Sequence, residues 1–205
     1  MISRVTTIHL CPTEQNIINL KSENVMGQAY VVGNTVLDNL TDLRKRISYG
    51  NEVLITLHRR ENHDKINEWF KVLSQIATSN PDVTYTLPIH PNPNVMMHKD
   101  LLKNINVISP LPYEQFLERL AACRYLISDS GGIQEEASFL GKKVIVCRKV
   151  TERPESVGIN STLCIEPNDL IDIEKEHRYN YILEPNNIYG DGQACRKITN
   201  ILLSL

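Results

Sequence analysis

The middle of the chain alternates between short, almost wholly apolar runs and longer segments whose apolar residues recur every three or four positions. The first pattern predicts β-strands and the second predicts amphipathic helices. Strands that are apolar on both faces and separated by helices indicate a parallel sheet covered on both sides. The predicted strands span residues 52–57, 82–89, 105–109, 125–128 and 143–147, and the predicted helices span residues 67–78, 92–103, 113–123 and 132–140.

The two ends of the chain follow a different pattern. Residues 12–24 predict a helix that begins at Pro12 and Thr13, and residues 29–40 predict a sixth strand that runs into a helix after Gly33. No internal repeat or low-complexity linker interrupts the chain, so we predict one doubly wound, Rossmann-like α/β domain over residues 1–205. Two further helices are predicted at residues 168–179 and 192–205, the second with an apolar stripe of Ile198, Ile201, Leu202 and Leu205.

Composition and charge exclude several classes of protein. The 205 residues are 41% hydrophobic, which is a globular composition, and the formal net charge of −2 offers no general attraction to nucleic acid or to an anionic membrane. No apolar run approaches the ~18 residues of a membrane span, and the first ten residues lack the pattern of a signal peptide, so a cytoplasmic location is expected. The five cysteines form no C-x-x-C pair, and we expect buried free thiols rather than a zinc site.

Polar and glycine-rich clusters follow consecutive predicted strands. In an open parallel sheet, ligands bind at the carboxyl ends of the strands, where helix N-termini present free N–H groups and partial positive charge. We therefore expect these clusters to share one ligand-binding edge. They are His58 to Glu61, His90 to Asn92, Pro110 with Leu111, Ser130 to Gly132, and Thr151 to Glu155.

The Ser130-Gly131-Gly132 turn is the candidate phosphate site. Without a Cβ in the way, backbone N–H groups at the start of a helix can approach a phosphate closely. Glu135 and Glu136 follow one turn later and differ by about 100° in direction, so one of them can face a ligand. Glu136 is well placed to accept hydrogen bonds from a ribose diol. The alternative is a plain structural turn between strand and helix.

The "LHRREN" segment is the candidate reactive site. His58 offers an acid or base, and Arg59 offers a diphosphate contact. The alternative is a solvated loop in which Glu61 or Asn62 caps the next helix, or in which Glu61 pairs with Arg59 or Arg60. His90 is either a turn residue packed by its ring or a ligand contact.

Two further candidates have equally plausible structural roles. Arg153 either binds phosphate or pairs with Glu152 or Glu155. Phe116 lies on an apolar helical face, where core packing is the default and stacking against a base is the alternative.

Several motifs together resemble the non-hydrolysing UDP-N-acetylglucosamine 2-epimerases, whose two Rossmann domains are similar to the B-type glycosyltransferase fold. The motifs are "ITLHRREN", "HPNPNV", "SDSGGIQEEASFLGKKVIVCRKVTERPESV" and "YGDGQACRKITNIL", and they occur in the family's order. The resemblance implies that this chain corresponds to the C-terminal domain. It also implies a reaction in which UDP-GlcNAc loses its C2 proton and UDP, and readdition then gives UDP-ManNAc, used for surface polysaccharides.

The resemblance also assigns roles to individual residues. His58 is implied as the catalytic histidine, Arg153 as a contact in the phosphate region, and Glu136 as the ribose contact. The turn Ser130, Gly131 and Gly132 is implied to hold phosphate, and Phe116 with the Leu111 backbone to hold uracil. Neither a metal nor another cofactor is implied.

The family also suggests partners for this chain. Its members have an additional N-terminal domain that carries carboxylates for the C2 proton. We therefore expect the segment 1–40 and the helix within 190–205 to face such a domain or a separate chain, and we expect a homo-oligomer. Two alternatives remain open: a UDP-sugar-binding subunit of a heteromeric glycosyltransferase, and a non-catalytic remnant.

Overall fold

The computed structural model describes residues 2–204, and within that range the strands form two parallel sheets. A two-stranded sheet pairs β1 with β2, and a six-stranded sheet has the order β5-β4-β3-β6-β7-β8. The predicted α/β fold with a parallel sheet is confirmed. The strands are β1 (Ile8–Cys11), β2 (Gln28–Val31), β3 (Glu52–Thr56), β4 (Thr84–Pro88), β5 (Asn106–Ile108), β6 (Tyr125–Ser128), β7 (Val144–Val146) and β8 (Ser161–Leu163).

Helices cover the larger sheet on both faces. The α-helices are α1 (Glu14–Ser22), α2 (Thr41–Arg44), α3 (Ile66–Ser79), α4 (Pro93–Met96), α5 (Tyr113–Ala122), α6 (Gly131–Phe139), α7 (Leu170–Tyr179) and α8 (Ala194–Leu203). Short 3₁₀ helices occupy Ile2–Val5, Thr35–Leu40, Arg60–Lys65, Lys99–Leu101, Pro154–Ser156 and Pro167–Asp169. None of the helices described within residues 2–204 is long and apolar enough to cross a membrane.

Two apolar cores lie on opposite faces of the six-stranded sheet, because successive strand residues point to opposite sides. Val53 and Ile55 of β3 contact the core built with α3 and α7, whereas Leu54 between them faces the core built with α5 and α6. Both faces of the central strands are fully buried, which explains why these strands are apolar throughout.

The strand order reverses between β3 and β6, which are the two central neighbours. After β3 the chain adds β4 and then β5 toward one edge of the sheet. After β6 it adds β7 and then β8 toward the opposite edge. Thr56 at the end of β3 pairs in register with Ser128 at the end of β6. The segments that follow these two strands therefore leave in opposite directions and open a crevice at the carboxyl edge.

Several sequence predictions about single elements were wrong. The predicted sixth strand exists as β2, but it pairs with β1 outside the main sheet, and the sixth strand of that sheet is β8. The segment after Gly33 forms a 3₁₀ helix and a short α2 rather than one helix, and the predicted helix 92–103 is split into α4 and a 3₁₀ turn.

The cysteines and the last helix also depart in part from expectation. Four cysteines are buried free thiols, as predicted, but Cys195 is exposed. In the predicted apolar stripe of α8, Leu202 is exposed and Ile198 and Ile201 are half-buried, whereas Leu205 lies outside the described residues.

Candidate functional site

Asp129 joins the two segments that leave the central strands. It directly follows β6 and is completely buried. Its Oδ2 accepts hydrogen bonds from the backbone N–H groups of His58 at 2.9 Å and Arg59 at 2.8 Å, and from the amide of Asn62 at 3.0 Å. One carboxylate oxygen thus holds the loop after β3 against the start of the glycine turn.

His58 lies on the crevice side of this anchor. Its Nδ1 is 3.7 Å from Asp129 Oδ1, and its side chain is 43% exposed at the open edge. The ring stacks on His90, with centroids 5.5 Å apart and planes inclined by 15°. His90 is therefore packed by its ring against the predicted catalytic histidine, which brings the loops after β3 and β4 together.

The glycine turn begins α6 beside this pair. The hydroxyl of Ser128 accepts from the N–H of Ser130 at 3.0 Å and contacts Thr56 Oγ1 at 2.6 Å, which fixes the turn to both central strands. Ser130 is the N-cap residue of α6, but its side chain makes no capping hydrogen bond. Its hydroxyl and the first N–H groups of α6 are thus available to an anion.

The two glycines of the turn have different surroundings. A Cβ on Gly131 would lie 3.3 Å from Arg59 Nη2 and 3.3 Å from Glu152 Oε2, so Gly131 lets Arg59 approach the turn closely. A Cβ on Gly132 would meet nothing within 4 Å. The absence of a side chain at Gly132 therefore leaves space that the protein itself does not fill.

A charged network surrounds Arg59. Arg148 is mostly buried and binds both Glu61, at 2.6 Å from its Nε, and Glu152. Hydrogen bonding from Arg148 lowers the pKa of Glu152 to about 2. Arg59 Nη1 lies 3.5 Å from Glu152. The predicted roles of Glu61 as a helix cap or as the partner of Arg59 or Arg60 were wrong, because Arg148 binds it.

The adjacent glutamates of α6 contact different elements. Glu135 is buried and pairs with Arg153, and it also accepts a hydrogen bond from Asn34. The predicted pairing of Arg153 with Glu152 or Glu155 was wrong, although its Nη1 donates to the carbonyl of Glu152. The predicted contact of Arg153 with phosphate stays a prediction.

Glu136 instead faces α5. It is 6% exposed, and its Oε1 accepts a hydrogen bond from Tyr113 Oη at 2.7 Å. Burial raises the pKa of Glu136, an effect that the Tyr113 hydroxyl opposes and the charge of Glu135 reinforces. Burial also raises the pKa of Tyr113, and the Glu136 carboxylate raises it further. The pair lies beside the mouth of the glycine turn.

The two residues predicted to contact uracil lie on α5 and in the loop before it. Phe116 is half-buried and packs against the apolar core on the α5 and α6 face. Leu111 is half-buried in the loop that precedes α5. Core packing therefore accounts for Phe116, and both the stacking of Phe116 on a base and the contact of the Leu111 backbone with uracil stay predictions.

The sequence analysis missed the contacts that four residues of this site make. The predicted role of Asn62 as a helix cap was wrong, because its amide donates to Asp129 and to the carbonyl of Cys147. Asp129, Asn62, Arg148 and Tyr113 make the contacts that position the predicted residues. Only the position of Asp129, directly before the glycine turn, offered a signal in the sequence. The part of the chain that the structure describes contains no group of three or more His, Cys, Asp or Glu residues that could hold a metal ion.

Comparisons with known proteins agree with this architecture. The UDP-N-acetylglucosamine 2-epimerase from Campylobacter jejuni is 36% identical, with 99% of this chain and 62% of that protein covered. The Escherichia coli K12 enzyme of the same name is 33% identical, with 95% of this chain and 60% of that protein covered. The chain therefore spans about three fifths of the length of these curated relatives.

Solved structures show the same relation. The Neisseria meningitidis UDP-GlcNAc 2-epimerase bound to UDP-GlcNAc has a TM-score of 0.82 at 32% identity, with 99% of this chain and 63% of that chain covered. The Methanocaldococcus jannaschii enzyme in complex with UDP-GlcNAc and UDP has a TM-score of 0.78 at 27% identity, with 98% of this chain and 62% of that chain covered. The predicted likeness to one part of a B-type epimerase fold is confirmed. The family model described as UDP-N-acetylglucosamine 2-epimerase matches residues 1–203, and this chain belongs to that family.

Proposed function

We propose that this chain supplies the UDP-binding part of a UDP-GlcNAc 2-epimerase, which interconverts UDP-GlcNAc and UDP-ManNAc. The observation that carries the proposal is the convergence of His58, the Ser130 to Gly132 turn and Glu136 at the crevice between β3 and β6. A reversal of strand order is where open α/β sheets bind nucleotides. Relatives of similar fold have been solved with UDP-GlcNAc or UDP, which supports the same ligand here.

Each part of the nucleotide matches a separate chemical feature. The diphosphate suits the N-terminus of α6, where free N–H groups, the Ser130 hydroxyl and the nearby Arg59 guanidinium offer donors to an anion. The ribose diol suits Glu136, whose carboxylate lies one turn into α6. The sugar then extends toward His58 at the exposed edge.

Epimerisation requires a proton to leave C2 on one face and return on the other. As the proton leaves, the bond from C1 to the UDP oxygen breaks and a glycal forms, and UDP then adds back to C1 while C2 takes a proton. This chemistry needs an acid–base group besides His58. Glu61, Glu135 and Glu152 each already pair with an arginine.

We therefore propose that the 205 residues bind UDP without catalysing epimerisation, and that a further domain or chain supplies the second acid–base group. The purified chain should not convert UDP-GlcNAc. Turnover should appear when the N-terminal portion of a full-length relative is added, and His58→Ala should then abolish it. Conversion by the purified chain alone, lost in His58→Ala, would contradict this division of labour.

Gly132→Ala tests the phosphate site directly. The added methyl meets no protein atom within 4 Å, so the fold should tolerate it, and thermal unfolding should occur at the same or a slightly higher temperature. The methyl would, however, enter the space assigned to phosphate. We expect the wild-type chain to bind UDP with a Kd of roughly 0.1–1 mM, and the variant to bind at least ~10-fold more weakly. Equal affinity of a folded variant would refute the phosphate assignment.

A further inference from the structure

The two carboxylate oxygens of Asp129 differ in their hydrogen bonding: Oδ2 has partners and Oδ1 has none among the described residues. Oδ2 accepts three hydrogen bonds, from the N–H groups of His58 and Arg59 and from the Asn62 amide. Oδ1 is buried and has no hydrogen-bond partner among residues 2–204. A buried carboxylate oxygen without a donor is unfavourable, and such an atom calls for a functional explanation.

The imidazole of His58 is placed to supply the missing donor. Its Nδ1 lies 3.7 Å from Asp129 Oδ1, slightly beyond hydrogen-bond distance, and a small rotation of the ring would close the gap. His90 stacks on one face of this ring, with the ring centroids 5.5 Å apart and the planes inclined by 15°. Nε2 lies across the ring from Nδ1, and the side chain is 43% exposed.

We infer that Asp129 is the positioning residue of His58. Its Oδ1 accepts the Nδ1–H of the neutral imidazole, which holds the ring in the Nδ1–H tautomer and leaves the Nε2 lone pair toward the crevice. The functional meaning of this arrangement rests on the proposed function. When Nε2 takes a proton from the substrate, the buried carboxylate stabilises the imidazolium, and when Nε2 later releases that proton the ring reverts to the same tautomer.

The hydrogen-bond pattern around Oδ2 makes Asp129→Asn an unusually informative substitution. Three donors converge on Oδ2, so the asparagine must place its carbonyl oxygen there. Its amide NH₂ then occupies the position of Oδ1 and donates toward His58 Nδ1. Since Nδ1 must now accept, the proton moves to Nε2. An almost isosteric change thus reverses the tautomer without releasing the loop.

The experiment is nitrogen NMR of the histidine rings in the whole 205-residue chain, at alkaline pH where histidines are neutral. His58→Gln identifies the His58 signals among the six histidines. We expect the protonated ring nitrogen to be Nδ1 in the wild type and Nε2 in Asp129→Asn. Asp64→Asn is the matched control, because Asp64 is exposed in the 3₁₀ helix that follows His58, and it should leave the tautomer unchanged.

The outcomes separate this inference from the proposed function. A wild-type His58 that carries its proton on Nε2 overturns the inference, whether or not the variant folds. A folded Asp129→Asn protein that retains Nδ1–H also overturns it. UDP titration of the same wild-type sample tests nucleotide binding separately, because the tautomer is read in the absence of ligand.

Discussion

Substitution of Glu136 by alanine tests the nucleoside end of the proposed site. Tyr113 already donates to one oxygen of this carboxylate at 2.7 Å, so a ribose can add about one strong hydrogen bond at the other oxygen. A hydrogen bond to a charged group contributes roughly 1.5–3 kcal/mol, which corresponds to a loss of roughly 10- to 150-fold in affinity for UDP.

Amide chemical-shift titration suits this measurement, because it remains quantitative for millimolar affinities. Glu118→Ala is a suitable control, since Glu118 lies exposed on α5 and makes only a long surface ion pair with Arg46 at 3.5 Å. The control should bind UDP as the wild type does. If a folded Glu136→Ala protein binds UDP within a factor of about two of the control, the ribose assignment is refuted.

The protonation of Glu136 gives an independent check. Burial holds the pKa of this carboxyl above its ordinary value of 4.5. Affinity for UDP-GlcNAc, whose diphosphate is esterified at both ends, should therefore decline as the pH falls through this raised pKa. Glu136→Gln should not show that decline.

The same raised pKa predicts an effect on stability. The unfolded chain ionises this carboxyl more readily than the folded chain, so the buried charge lowers the free energy of unfolding at neutral pH. Glu136→Gln keeps an acceptor for Tyr113 and should be the more stable protein at neutral pH. Its advantage should disappear below the unfolded-state value of 4.5. Urea unfolding at both pH values measures the difference, and a variant that is less stable at neutral pH would contradict the burial argument.

Three further predictions concern the framework of the domain. Burial lowers the pKa of Lys142 to about 8, so the folded chain binds fewer protons than the unfolded chain between that value and 10.5. The free energy of unfolding of the wild type, measured with urea, should therefore rise between these two pH values. Lys142→Met should lack this rise, and it also loses the hydrogen bonds from Lys142 to the carbonyls of Ser48 and Cys123. Asp38 accepts hydrogen bonds from the first two N–H groups of α8, so Asp38→Ala should lower the free energy of unfolding by roughly 0.5–2 kcal/mol, whereas the exposed Asp42→Ala should change it little. Leu202 is 54% exposed on α8, so we expect self-association that Leu202→Glu reduces, and a wild-type chain that is strictly monomeric at high concentration in light scattering would contradict this.

The central elements could be predicted because their signals are local. The predicted helix 67–78 corresponds to α3, and the predicted strand 125–128 coincides with β6. A strand buried on both faces must be apolar throughout, and an amphipathic helix must repeat its apolar positions at the helical period, so each pattern can be read without its neighbours. The edge strand β8 escaped prediction because two of its three residues, Ser161–Leu163, are polar, whereas β7 is equally short but wholly apolar.

The location of the candidate site could also be predicted from the sequence. Once the strands are parallel, the residues that follow them must lie at one edge, whatever the order of the strands. His58, Ser130 to Gly132 and Glu136 could therefore be assigned to one crevice from sequence alone. The family motifs further predicted that this crevice binds a nucleotide sugar.

The contacts inside the crevice were decided by the tertiary structure. Asp129 lies 71 residues from the His58 N–H that it accepts, and Arg148 lies 87 residues from Glu61. A charged side chain can pair with any opposite charge within reach, so proximity in the sequence suggested Arg59 or Arg60 as the partner of Glu61. In the fold, β3 pairs with β6 and β6 pairs with β7, and this arrangement brings Arg148 next to Glu61 instead. The sequence determined which residues reach the edge, because periodicity is a local property. Only strand order determined which of them meet, because that order depends on packing the whole sheet.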